Sequence, residues 1–410
     1  MSELTVSSTA RRRDDGRVII TTRLTGTDDA LPEVEMALPP RARLDDLTPV
    51  DLGNVSLAIG MLTAMRRGAA LRLEQPASPT LLASMPQYQA VFTTWYPELL
   101  QRIEVHAEAG IDTRPRGAGE ATFFTAGVDS FDTLLQNRAT ITALIYVSGF
   151  DIPLTRPDAL DRTRQHLVAV AEAAQVELLE VESSIRTLFA GVGDWGRMTH
   201  GAALASVALA LAALGIGTVR IPSGKSYAQI DPWGSQPLID PLWSTEVMRV
   251  VHDGADAPRT GKIARIAHEP LVHEHLRVCW VQFDADNCGQ CIKCSRTRLL
   301  FEAVDAGHLL RTFPGTISLA SMLDDGFRGA NDVFNARLVA AALQRNPRTE
   351  RYGALLADRV RYVSRRYPLH EGETLPPRDL AHRLTLRLTQ RRARRLERRS
   401  PLPSPPLPRV

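Results

Sequence analysis

Between Ala121 and Ile221 the chain alternates short apolar runs with helical stretches, and this rhythm limits the possible folds more than any other feature. Ala121–Thr125 is apolar and passes through a turn into a helix from about Ser130. Ile141–Val147, Val176–Val181 and Thr218–Ile221 are further apolar runs that read as strands. Asp158–Ala174, with Asp158 as its cap, and His200–Leu214 read as the helices between them. Short apolar strands alternating with helices imply an α/β fold, a parallel sheet covered on both faces. Ligands of such sheets sit outside the carboxyl ends of the strands. The loops Ala126–Asp129, Ser148–Pro153, Val192–Thr199 and Pro222–Tyr227 are therefore expected to converge on one site.

The flanks differ from this segment. At about 100–200 residues per domain, 410 residues allow two or three domains. Residues 1–117 read as an α+β domain: 1–15 disordered, strands at Arg17–Leu24, Ala69–Leu73 and Ile103–Ala107, a helix at Leu57–Arg66, and a partly helical Ser84–Leu100. Trp95 and Tyr96 there read as core. Thr113–Glu120 reads as a loop or linker. The α/β unit is assigned to 118–300 and a helical region to 301–390. Residues 391–410 read as a basic, Pro-rich, disordered tail. Arg383–Arg399 could form a basic helix, which Pro401–Pro408 cannot.

Charge separates the tail from the body. Residues 381–410 hold nine Arg against one Glu, more than the whole net charge of +3. The body is therefore not expected to bind nucleic acid. The tail reads as a solvated arm, or as a contact for RNA or an acidic partner. The longest apolar run, Ala202–Leu214, falls short of the roughly 18 residues a bilayer span needs, so it reads as a buried helix. Met1–Arg13 is polar and lacks a secretory h-region. All four cysteines lie between 279 and 294, as in a cytosolic metal site rather than a secreted disulfide scaffold. A cytoplasmic location without a membrane partner is expected.

Two motifs carry chemistry. Residues 121–133 read ATFFTAGVDSFDT, an apolar strand entering small residues and then a helix. Small residues let the backbone amides of Thr125, Ala126, Gly127 and Val128 face an anion, and the helix N-terminus adds positive partial charge. Ser130 offers a hydroxyl, and Asp129 can serve a metal ion or orient the loop. A plain strand–turn–helix corner with an Asp cap is the alternative. The second motif is Cys279-x8-Cys288-x2-Cys291-x2-Cys294. Four thiolates make a closed tetrahedral set for structural Zn2+, with an iron–sulfur cluster as the rival. Lys293, Arg296 and Arg298 could offset the charge of the tetrathiolate.

The first motif resembles the SGGxDS loop of the PP-loop ATP pyrophosphatases. Thr125 takes the place of the first Ser and Ala126 of the first Gly, while Gly127, Asp129 and Ser130 match. A Cβ at Ala126 narrows the approach to phosphate or forbids a positive φ. Together the two motifs, over about residues 118–300, resemble the 7-cyano-7-deazaguanine synthases. That resemblance implies a Rossmann-like PP-loop domain using ATP and Mg2+, with Zn2+ on Cys279, Cys288, Cys291 and Cys294. It implies adenylation of a carboxylate acceptor with release of AMP and pyrophosphate. Lys262, in Arg259-Thr-Gly-Lys, matches the family's basic position and could meet the leaving pyrophosphate. Adenine is expected along Ile145–Val147, placing Tyr146 at the nucleotide.

The chain departs from the synthases at Gly149–Pro153 and at Asp231–Thr245, and in both flanking regions. This fits a synthase-like branch with shared phosphate chemistry and a different acceptor, a heterocyclic carboxylate or a protein. Some synthase-like relatives accompany bacterial defence systems or natural-product pathways, and the resemblance extends to such a setting here. Asp240, between apolar residues, needs a partner: an acceptor amine or guanine-like edge, or a structural Arg. Ser223, Lys225 and Tyr227 follow a strand end and are candidate ligand contacts. His200 is a base, a phosphate donor or a first-turn polar residue. Trp233 and Trp243 stack on a heterocycle or belong to the core. His268, His273 and His275 read as surface residues. A homo-oligomer is expected. A sulfur-transfer enzyme of the same superfamily, or a non-catalytic nucleotide-binding partner in a multiprotein system, are the alternative functions.

Overall fold

A computed structural model describes residues 2–26, 30–314, 319–325, 327, 329–367, 380–399 and 401–402. The strands are β1 (Glu3–Arg12), β2 (Val18–Thr25), β3 (Val34–Ala37), β4 (Ala70–Leu73), β5 (Val105–His106), β6 (Gly119–Phe123), β7 (Ala143–Ser148), β8 (Glu177–Ser183), β9 (Ile216–Pro222) and β10 (Arg249–Asp253). The helices are α1 (Pro49–Arg67), α2 (Pro79–Trp95), α3 (Val128–Gln136), α4 (Pro157–Ala174), α5 (Ile185–Phe189), α6 (His200–Leu211), α7 (Arg259–Ile266), α8 (Pro270–His275) and α9 (Ile292–Ala303). They continue with α10 (Leu319–Asp325), α11 (Ala330–Gln344), α12 (Glu350–Arg366) and α13 (Leu380–Arg399).

Among the described residues, ten strands join one mostly parallel sheet in the order β10-β9-β6-β7-β8-β3-β2-β1-β4-β5. The half from β10 to β8 is parallel, as the alternation implies. β3 pairs antiparallel with β8, so strands of residues 1–117 extend the same sheet. Chain order reverses where β6 has β7 on one side and β9 on the other. A crevice opens at such a switch point outside the carboxyl ends, here the loops after β6 and β9.

Side chains of alternate strand residues supply two cores. Phe123, Ile145 and Val147 pack with α1, α2 and α6 on one face. Leu144 and Tyr146 pack with α3, α4, α7 and the C-terminal helices on the other. The apolar run after residue 201 is the buried helix α6, ending in a 3-10 turn at Ala212–Leu214. Among the described residues, only Trp195–Leu214 is long and apolar enough to cross a membrane, and 67% of its most apolar 18 residues are buried inside the fold.

Several sequence expectations need correction. Residues 3–12, expected within a disordered arm, form β1, with Leu4 and Val6 fully buried. Ser8 is also buried, because its Oγ lies 2.7 Å from both Thr22 Oγ1 and Ser56 Oγ. Those partners remove the cost of hiding a hydroxyl. Asp158 does not cap its helix: α4 starts at Pro157, its cap residue is Arg156, and Asp158 lies in the first turn. Residues 391–399 belong to α13, with Ala393 buried and Glu397 accepting a 2.7 Å bond from Leu319 N. Most of the proline run, 403–410, lies outside the described residues.

Candidate functional site

The loop after β6 is built as an anion cradle. Ala126 adopts φ 56°, the left-handed region, despite its Cβ. The sequence expectation that Ala126 resists this conformation is thus overturned. Its side chain is buried and its carbonyl accepts from Arg277 N at 2.8 Å, so surrounding contacts hold a geometry costing about 1–2 kcal/mol. Gly127 precedes α3 with an ordinary φ of −83° and no side-chain cap. A Cβ added there would meet nothing closer than Thr125 Oγ1 at 3.5 Å, Arg277 O at 3.8 Å and Ser130 Oγ at 4.0 Å. The space is open to the protein but sits between the two hydroxyls. Val128 is buried and brings only its backbone amide to the loop. Ser130 Oγ donates to Gly127 O at 3.0 Å.

Asp129 is not a helix cap. Arg259 donates to its Oδ2 at 2.5 Å, and Lys262 Nζ lies 3.3 Å from Oδ1. Burial pulls the Asp129 pKa up, but these two cations outweigh it and hold the carboxyl below its ordinary value. Lys262 is itself buried and also donates to Ser223 O. The sequence-matched Lys262 is therefore brought to the loop, together with Arg259, which sequence reasoning passed over. Their spacing of three residues, one helical turn, was the available signal.

Two cavities meet at Asp129. The smaller, about 220 Å3, has Thr125, Gly127 and Ser130 at one end, with Ile145, Tyr146, Phe150, Trp195 and His200 among its walls. Its lining includes residues from all four loops expected to converge, with Pro222 from the fourth. The larger, about 760 Å3, is lined by Trp95, Tyr96, Arg197, Lys225, Trp233, Arg259, Lys293, Arg296 and the first residues of α11. Trp95 and Tyr96, expected in the core, pack half-buried against it beside Phe92 and also form part of this wall. Lys293 and Arg296 face the same cavity rather than serving only as a charge offset for the cysteines.

A π-turn at Trp195–Thr199 leads into α6 and carries His200. His200 Nδ1 donates to Trp195 O at 3.0 Å, and burial lowers its pKa, so the ring is neutral with Nε2 left as acceptor. Gly201 admits the loop after β9: a Cβ there would lie 1.8 Å from Gly234 O. That loop presents Trp233, with Lys225 Nζ 4.3 Å from its ring centroid and ion-paired to Asp231. Trp243 is fully buried and belongs to the core beside Tyr88.

Asp240 and Ser223 line neither cavity. Asp240 is fully buried, and its partner is neither an Arg nor an exposed acceptor edge. His252 Nδ1 lies 2.7 Å from Asp240 Oδ2, which also accepts from Ser235 Oγ at 2.7 Å. His252 Nε2 lies 2.8 Å from Ser223 Oγ. Ser223 Oγ also lies 2.5 Å from Lys225 O. The Asp240–His252–Ser223 chain thereby fixes the carbonyl that receives Lys262. His252 was missed because nothing local marks it; its partners come from two other segments.

The four cysteine sulfurs all lie within 4.8 Å of one another and could hold a metal ion. Cys279 and Cys291 Sγ are 4.0 Å apart, and Cys288 and Cys294 Sγ 3.9 Å. A tetrahedral thiolate set with 2.3 Å metal–sulfur bonds has edges of about 3.8 Å. Of the three histidines expected at the surface, His268 is exposed. His273 and His275 are half-buried, with His273 Nε2 donating to Ala267 O at 2.8 Å and His275 Nδ1 3.0 Å from His166 Nδ1.

Comparison with family models, with curated proteins and with solved structures finds no match to this chain.

Proposed function

We propose that the chain is an ATP-dependent, AMP-forming ligase of the PP-loop kind, resembling the 7-cyano-7-deazaguanine synthases. In this reading it adenylates an acceptor carboxylate and releases pyrophosphate. The observation that carries the reading is the loop Thr125–Ser130. It sits at the switch point of the parallel sheet, with an open space between two hydroxyls and with Arg259 and Lys262 converging on Asp129. The apolar smaller cavity suits an adenine, with Ile145 and Tyr146 at its wall and the phosphates toward Ser130. Asp129 and the nucleotide's phosphates would hold Mg2+, which offsets the charge of the leaving pyrophosphate. Lys262 and Arg259 would then turn from Asp129 to that developing charge. His200, neutral with Nε2 as acceptor, is suited to take a proton from an attacking nucleophile. The larger cavity, entered at Asp129, would take the distal phosphates on Arg259, Lys293 and Arg296, and an anionic acceptor beside Trp233 and Lys225. Zinc on the four cysteines would supply folding free energy.

The test is ATP consumption with product analysis. AMP and pyrophosphate are expected. ADP and phosphate would contradict the ligase reading, and nucleotide binding without turnover would favour the non-catalytic alternative.

A further inference from the structure

Helix α9 joins the cysteine cluster to the larger cavity. Cys291 is its cap residue, with its sulfur 3.5 Å from Cys294 N. Successive helical residues turn by about 100°, so Cys291 and Cys294 share one side while Lys293 and Arg296 share another. The first pair belongs to the four-sulfur group. The second pair lines the cavity that reaches Asp129 and Arg259.

That cavity is short of negative charge. Its lining holds the cations Arg197, Lys225, Arg259, Lys293 and Arg296 against the carboxylates Asp129, Asp231 and Asp332. Asp129 is engaged by Arg259, and Asp231 by Lys225 and Asn331. Arg296 Nε is buried without a hydrogen-bond partner. An unpaired buried guanidinium N–H is costly, and a polyphosphate oxygen would satisfy it while balancing the excess charge.

We propose that the cysteine cluster and the cavity form one coupled device. A cation held by Cys279, Cys288, Cys291 and Cys294 fixes the first turn of α9, and with it Lys293 and Arg296 as ligands for polyphosphate. Metal occupancy thereby sets polyphosphate affinity. The inference rests on the reading that this cavity holds nucleotide phosphates. The cysteines act as positioning residues, and Lys293 and Arg296 make the contact.

Coupling of this kind is reciprocal: if the metal tightens polyphosphate binding, polyphosphate must tighten metal binding by the same factor. The probe is inorganic pyrophosphate with Mg2+, titrated into the metal-loaded full chain. Arg296→Gln should keep its metal by elemental analysis and weaken pyrophosphate binding about tenfold or more, as expected for losing a charge-assisted hydrogen bond. The metal retained at equilibrium against a competing chelator should rise about fivefold or more with pyrophosphate in the wild type. It should show no such rise in Lys293→Gln/Arg296→Gln, which in the same solution reports pyrophosphate's own hold on the metal. This comparison does not require the metal-free chain to stay folded. If the wild type binds pyrophosphate but retains metal no better than the double variant, the coupling is wrong and the proposed function stands. If the wild type binds no pyrophosphate, or purifies without metal and cannot be loaded, the coupling falls. The first of these results removes the proposed function as well.

Discussion

Arg259 Nη2 lies 2.5 Å from Asp129 Oδ2, tying the first residue of α7 to the loop after β6. The contact means that the one carboxylate shared by both cavities is neutralised before any ligand arrives. A nucleotide brings its own negative charge, so it can draw Arg259 and Lys262 onto its phosphates and leave Asp129 to a cation. The arrangement would thus respond to phosphate charge rather than to the base.

Ser130 and Lys262 should separate binding from rate. Ser130→Ala removes a hydroxyl at the cradle and should weaken ATP binding by about 1.5–3 kcal/mol, the worth of a hydrogen bond to a charged group. Lys262→Ala should lower turnover far more than ATP affinity, because the charge it meets develops during pyrophosphate departure. Calorimetry beside initial rates distinguishes the two. Equal loss of affinity in both variants would place Lys262 on the ground state.

Ala126→Gly should stabilise the chain. The wild-type residue holds φ 56° with a Cβ, and glycine removes that strain. A gain approaching 1 kcal/mol in denaturant unfolding is expected, reduced by glycine's greater freedom in the unfolded chain. A loss of stability would mean that the buried methyl group outweighs the strain.

Four of the five strands of the parallel half, β6 to β9, were legible because they carry short apolar runs, and the cradle because it follows one of them; β10 was not read from the sequence. β1 was not legible. Its inward residues include Ser8, whose partners Thr22 and Ser56 lie in β2 and α1, so its burial depends on segments far along the chain. β3 has only four residues, and its pairing with β8 could not be read locally. The cysteine cluster was plain from spacing, whereas the contribution of Trp95 and Tyr96 to the cavity wall is a tertiary fact. Asp240 illustrates the limit best. Its burial was foreseeable from its apolar neighbours, but its partner His252 lies in β10, twelve residues on.

Asp132 gives the fold a pH dependence. It is buried, its oxygens have no hydrogen-bond partner, and burial pushes its pKa up to about 6 from 3.8. The folded state therefore binds its proton more tightly than the unfolded state. The contribution is fully present below about pH 4 and is lost as pH rises through 6, amounting to at most about 3 kcal/mol. Asp132→Asn should flatten the stability profile between pH 4 and 7 and stabilise the chain at pH 8. Chemical unfolding across that range is the check, and an unchanged profile would show that another group controls it.

Removing residues 391–410 should lower the melting temperature, since it deletes buried Ala393 and the Glu397 bond to Leu319 N. Glu397→Ala alone should cost about 1.5 kcal/mol. Thermal unfolding of both variants tests this, and an unchanged midpoint would mean the second half of α13 adds no stability.

Whether Thr125–Ser130 cradles ATP phosphates is decided by ATP titration calorimetry on Gly127→Ala. The new Cβ meets no protein atom closer than 3.5 Å and needs no unusual φ, so the melting temperature should stay within about a degree of wild type. It would nevertheless occupy the space between Thr125 Oγ1 and Ser130 Oγ. ATP should bind the wild type, with a loss of about tenfold or more in affinity in the variant. Undiminished ATP affinity in a normally folded Gly127→Ala chain would contradict a phosphate cradle at Thr125–Ser130.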